Sequence, residues 1–196
     1  MIKIGFIVEG VCEKLLVESA NFQTWANKQS LEICTPVINA GGGGNLCTKN
    51  IEPFINKCRI EANPDKIVVL TDLECEPCVT ATKARIGLSS VDQIIVAKKA
   101  LEAWFLADPV AMRRWLKNED FPGETMPEQT PDMPWEHLKE IAKHHHPKKL
   151  GPGRKKKAFA KKMIEQFGFS IERAANHPNC PSARYFLDKL LSYKLL

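Results

Sequence analysis

Four short apolar runs, separated by stretches long enough for a helix, constrain this chain more than any other feature. They are Ile2–Val8, residues 31–38, residues 66–71 and Gln93–Ala97. Each has strand length, is rich in β-branched residues and is bounded by turn formers. The intervening residues predict helices over 12–29, 46–62 and 80–87, with another beginning at residue 100. Residues 39–45 contain Gly41, Gly42, Gly43 and Gly44. Four glycines in a row lose too much entropy inside an element, so this stretch reads as a loop. Strands alternating with helices imply a mainly parallel, right-handed sheet flanked by helices, a Rossmann-like α/β fold.

The pattern changes after Asp108. Residues 117–136 read as a long irregular connection, and helices are expected over 137–146, 155–167 and 182–195. The expected organisation is therefore a core over 1–108 and a mostly helical region over 109–196 packed on it. A length of 196 residues suits one domain with a smaller appendage. There are no internal repeats. The net charge of +5 is divided along the chain: residues 1–108 carry 11 Lys and Arg against 13 Asp and Glu, and the remainder carries 17 against 10. Between Lys143 and Lys162 there are nine basic residues, three His and no acid. A basic second part beside an acidic first part suits a polyanion-binding surface next to a metal-holding site. Its bland counterpart is a solvated lysine-rich helix face.

No apolar run reaches the ~18 residues of a membrane span. The first apolar stretch is short for a secretion signal and runs into Glu9. Seven irregularly spaced cysteines do not suggest a disulfide scaffold. The expectation is a cytoplasmic protein with no membrane partner.

The chemistry is carried by two carboxylate clusters, each just after an apolar strand. Glu9, Gly10 and Glu13 follow the first strand; Asp72, Glu74 and Glu76 follow the third. Asp72 and Glu74 lie two apart at a strand end and are expected to point the same way. In a parallel sheet the carboxyl ends of the strands share one edge, so both clusters converge on one crevice. Clustered carboxylates repel one another unless a cation is present, and hard oxygen donors suit Mg2+ or Mn2+. The alternative is that these acids are strand-end and helix N-terminal charges.

The loop of Gly41, Gly42, Gly43 and Gly44 is a candidate phosphate loop, since its backbone N–H groups can approach an anion closely. No Gly-Lys-Ser/Thr follows, so nucleoside-triphosphate hydrolysis is not implied. Arg154, Lys155, Lys156, Lys157, Lys161 and Lys162 are the nucleic-acid phosphate candidates. Cys75, Cys78, His177 and Cys180 have zinc-ligand spacing in pairs, but about a hundred residues separate the pairs, so structural zinc is not expected. His144, His145 and His146 read as surface residues extending the basic stretch, and Trp104 as a core residue.

The strand–Glu-Gly…Glu and strand–Asp-x-acid pattern resembles the Toprim fold of topoisomerases, primases and nucleases. The segment Ile95-Val96-Ala97-Lys98-Lys99-Ala100-Leu101-Glu102-Ala103-Trp104-Phe105-Leu106-Ala107-Asp108 is similar to a hallmark of the DUF4276 family. Those are Toprim-like proteins related to the overcoming-lysogenization-defect (OLD) family nucleases. Residues 153–160 and 182–186 resemble the same family. Asp72-Leu73-Glu74 replaces the usual Asp-x-Asp, and Cys12 stands where Thr or Ser is common.

The resemblance implies a Mg2+- or Mn2+-dependent nuclease with a one-metal or two-metal carboxylate site. It makes Glu9 a ligand or general acid/base with Glu13 beside it, Asp72 and Glu74 metal ligands, and Glu76 an outer metal ligand. Glu102 would be a second-metal residue, and one of Lys155, Lys156 and Lys157 the lysine that stabilises transition-state charge. It also implies DNA or RNA as partner, a separate ATPase subunit and a role in defence against phage or mobile DNA; a homodimer is a separate expectation. Two other functions fit the same residues. One is a non-catalytic module binding nucleic acid or an ATPase partner; the other is phosphoryl or nucleotidyl transfer to a small substrate.

Overall fold

The computed structural model describes residues 1–74, 76–87 and 91–195. The first part runs β1 (Ile2–Val8), α1 (Val11–Val17), α2 (Ala20–Lys28), β2 (Leu31–Ile33), β3 (Ile38–Asn39), α3 (Glu52–Ala62), β4 (Lys66–Asp72), α4 (Val79–Ile86), β5 (Gln93–Ala97) and α5 (Glu102–Leu106). The second part is helical: α6 (Pro109–Leu116), α7 (Pro134–His145), α8 (Lys156–Glu165), α9 (Ile171–Asn176) and α10 (Pro181–Ser192). All strand pairs are parallel, in the order β2-β1-β4-β5, and β3 continues the β2 flank of β1. The α/β class with a parallel sheet between helices is the one the strand–helix alternation requires.

The period of two along each strand sorts side chains into two apolar layers. Ile4, Phe6 and Val8 of β1, with Val68, Leu70, Ile95 and Ala97, face a layer shared with α1, α2 and α5 to α10. Ile7, Ile67, Val69, Ile94 and Val96 face α3 and α4. In the first layer Phe186 of α10 stacks on Trp104 and on Phe22, each at 5.4 Å between ring centres. Trp104 is fully buried and donates its indole N–H to Ser182 Oγ at 2.7 Å, so it is a core residue. Asp108 accepts from Val110 and Ala111 as the cap of α6 and makes two bonds of 2.8 Å to Arg173. It thereby joins the two parts of the chain. Among the described residues no helix is long and apolar enough to cross a membrane.

Several boundaries differ from the sequence expectation. The helix over 12–29 is two helices, because the Ser19 side chain caps α2 by accepting from Phe22 N. The strand over 31–38 is the two pieces β2 and β3, interrupted around Pro36, which has no N–H for a ladder. The helix expected from residue 46 begins at Glu52, with Pro53 in its first turn. Gly43–Asn45 form a 3-10 turn inside the glycine loop. Helices α6 and α9 lie outside the expected helices, and the irregular connection ends at Met133 rather than 136. His146 is buried and its Nδ1 accepts from Lys148 N, so it does not extend the basic surface.

Candidate functional site

Strands β1 and β4 are neighbours, with Val8 paired to Leu70, so their carboxyl ends deliver Glu9 and Asp72 side by side. Glu9 N continues the ladder to Leu70 O at 3.0 Å. The Glu9 carboxylate is fixed by the Thr71 hydroxyl and by Asp72 N at 3.1 Å. Asp72 Oδ1 accepts from Leu101 N at 2.9 Å, which ties the end of β4 to the chain entering α5. Gly10 starts α1 in an extended conformation; a Cβ there would stand 3.0 Å from Glu13 Oε2. Glycine at residue 10 thus lets Glu13 fold back over its own helix start.

Glu9 and Asp72 open onto a cleft of about 530 Å3. Glu74 and Glu76 stand on its rim with Arg85, and Gly43 and Gly44 supply part of its wall. Glu74 is exposed in a left-handed turn with φ of 48°, and its N–H donates to Lys99 O at 2.7 Å. It has left the strand, so it does not share a strand face with Asp72 as expected, although both reach the cleft. Arg85 Nε lies 3.1 Å from Glu76 Oε1. Its Nη1 donates to Gly43 O at 2.7 Å and to Leu46 O at 3.3 Å, holding the glycine turn against Glu9. Of the four loop glycines, Gly43 and Gly44 meet the cleft, while Gly42 N donates to Glu9 O at 2.8 Å.

Glu13 and Glu102 are buried behind this cleft, at 4% and 3% exposure. Burial pushes the Glu13 carboxyl up to about 7, helped by the charges of Glu9 and Glu102 and opposed by backbone hydrogen bonds. Burial also holds Asp72 well above the usual carboxylate range, with Glu13, Glu102 and Glu9 adding to it. Cys12 is pushed up to about 12 by burial and then by Glu13, Glu102 and Asp72, against the opposing charge of Lys156. Lys156 Nζ stands 3.5 Å from Glu102 Oε1. Burial alone would lower this ammonium; Glu102 and Asp72 more than offset that and hold it above its ordinary value. The four acids therefore form one electrostatic group with Lys156 as a cation entering from the basic segment.

The donors are hard oxygens in a partly dry setting, which fits Mg2+ or Mn2+. Among the described residues no three His, Cys, Asp or Glu side chains converge closely enough to hold an ion as they stand. Of the six basic candidates, Lys156 touches the acid group. Arg154, Lys155, Lys157, Lys161 and Lys162 are exposed, and Lys161 lies 3.8 Å from Glu165. Cys75 of the zinc quartet lies outside the described residues. Cys78 Sγ accepts from Ala81 N, Cys180 Sγ donates to Glu128, and His177 Nε2 bonds Glu124 O.

Sequence reasoning missed Arg85 and Thr71. Thr71 was findable, because it directly precedes Asp72 at a strand end. Arg85 carried no local signal; its role comes from the packing of α4 against the glycine turn. No family model matches this chain, and neither a curated protein nor a solved structure is similar to it.

Proposed function

We propose that this chain hydrolyses phosphodiester bonds of nucleic acid with Mg2+ or Mn2+ in the cleft. One observation carries the reading: Glu9 and Asp72, at adjacent parallel strand ends, meet in one open cleft backed by buried acids and reached by Lys156. Glu9 and Asp72 would hold the ion, with Glu74 and Glu76 available from the rim. Raised carboxyl pKa values support this, because a bound cation favours the charged form that burial disfavours. When bound, a divalent ion supplies Lewis-acid polarisation of the phosphoryl group.

The remaining work falls to the protein's own groups. Glu13, titrating near neutrality, is suited to take and return a proton. Lys156 stays protonated and is positioned by Glu102 to offset charge building on a phosphoryl oxygen. This favours Lys156 over Lys155 and Lys157 for that role. Thr71 and Asp72 N–H orient the Glu9 carboxylate, and Arg85 fixes the glycine turn beside it. Arg154, Lys155, Lys157, Lys161 and Lys162 would hold the flanking polyanion, a contact that weakens with salt. The ATPase subunit and the role against phage or mobile DNA are inferred from the family resemblance.

The test is cleavage of supercoiled plasmid, linear DNA and RNA in Mg2+, Mn2+ or EDTA, comparing wild type with Asp72→Ala. Metal-dependent cleavage by wild type, reduced at least a hundredfold in the variant, is expected, on the order of losing one essential charge-stabilising group. Salt-sensitive binding by both proteins with cleavage by neither overturns the reading in favour of a binding module.

A further inference from the structure

A second concavity lies beside the cleft, built around three elements. β5 supplies Val96 and the bend just past it Lys98, α4 supplies Val79 and Lys83, and α10 supplies Pro181 and Tyr185. The spacing is four along each helix, so each helical pair shares one face. The resulting slot has a volume of about 280 Å3, near the small end of ligand sites. Its walls are two valines, a proline, a phenol ring and the methylene stems of two lysines. Ser182 and Glu128 also line it, and the Ser182 N–H and hydroxyl both donate to Glu128 Oε1.

The rim carries lysines, while the carboxylate of Glu128 lies buried in the lining. Lys83 Nζ donates to the Tyr185 hydroxyl at 2.9 Å and lies 4.6 Å from its ring centre. Lys189 Nζ lies 5.3 Å from the same ring. Some lysines elsewhere reach carboxylates, as Lys66 reaches Asp92 at 3.0 Å and Lys139 reaches Glu136 at 2.8 Å. Among the described residues Lys83, Lys98 and Lys189 make no ion pair. An apolar slot edged by Lys83 and Lys98, with Lys189 against the same tyrosine, is complementary to a flat ring flanked by anions.

We propose that this slot takes one nucleobase of a single-stranded nucleic acid, with the flanking phosphates on Lys83, Lys98 and Lys189. The inference rests on reading the neighbouring cleft as a nucleic-acid site. The geometry connects the two. The β4–β5 register pairs Asp72 with Ala97, so Lys98 follows directly beside the cleft acid. Helix α4 carries Val79 and Lys83 on the slot and Arg85 on the cleft. Six residues of helix span about 9 Å, so a strand whose phosphate sits in the cleft sets a nearby base in the slot. Base contacts of this kind tolerate any sequence, because every base has a π face.

The test is fluorescence anisotropy of the full chain in EDTA with two labelled oligonucleotides of equal length and charge, one of deoxythymidine and one abasic. Wild type is expected to bind the base-bearing strand roughly tenfold more tightly, on the order of one captured base. Val79→Trp, which fills the slot, is expected to bring that ratio to near one while leaving affinity for the abasic strand unchanged. Tyr185→Leu serves as the second variant if Val79→Trp does not fold. Equal wild-type affinity for both strands overturns the proposal, as does a folded Val79→Trp that keeps the preference. Tighter binding of an acidic peptide bearing one Phe, lost in Val79→Trp, overturns it in favour of a peptide partner. The assay contains no metal and so reads independently of cleavage. Base preference without plasmid cleavage keeps the slot and sinks the nuclease; cleavage without base preference does the reverse.

Discussion

At the scale of residues, Glu13 links the electrostatics of the site to the stability of the fold. Its folded carboxyl titrates near 7, against 4.5 for an ordinary glutamate. Between those values the folded protein keeps a proton that the unfolded chain releases. The Glu13 contribution therefore becomes unfavourable as pH rises from about 4.5 to 7, reaching about 3 kcal/mol above that window. Glu13→Gln is expected to raise the melting temperature over wild type in EDTA at pH 8 and to leave it nearly unchanged at pH 4.5. A stability difference that does not vary with pH refutes this account. Glu9 and Asp72 were legible from sequence because strand-end position alone decides where they lie. Arg85 was not, since nothing local marks a helix residue that will clamp a distant glycine turn. Nor did sequence separate Lys156 from its neighbours in a run of lysines; the 3.5 Å approach to Glu102 does.

At the scale of elements, the packing of α3 on β1 depends on one missing side chain. A Cβ at Gly5 would stand 2.6 Å from Cys58 Sγ and 2.8 Å from Pro64 Cγ. Gly5→Ala is expected to lower unfolding free energy by about 1–3 kcal/mol in denaturant titration, the range for an overpacked core. Adding Cys58→Ala should recover part of that loss and not all, because the Pro64 contact remains. Strands were the legible elements: their period of two survives into the structure as the two apolar layers. Helices were legible in existence more than in extent. Asp108-Pro109 reads as a break, yet it is a capping Asp followed by proline in the first turn, the start of α6. The division at Ser19 was missed because a helix-period apolar pattern continues across the cap from Leu16 to Trp25.

At the scale of the molecule, the apolar layer that buries Phe6, Val68 and Ile95 also contains Phe159, Met163 and Phe186 from the basic half. Residues 1–108 alone would expose that side of the sheet together with Trp104 and Phe105. Expressed separately, they are expected to lack the near-UV circular dichroism of packed aromatics; a sharp spectrum and a cooperative melt would show that the first part folds by itself. The all-parallel order β2-β1-β4-β5 has a kinetic consequence as well. Ile4 pairs with Lys66, so the central strand waits for more than sixty residues of synthesis before its second edge can close. At about 5–20 residues per second, a ribosome takes several seconds to deliver β4. Throughout that interval β1 carries an open, almost wholly apolar edge, and the yield of native protein depends on how fast translation outruns self-association of nascent chains.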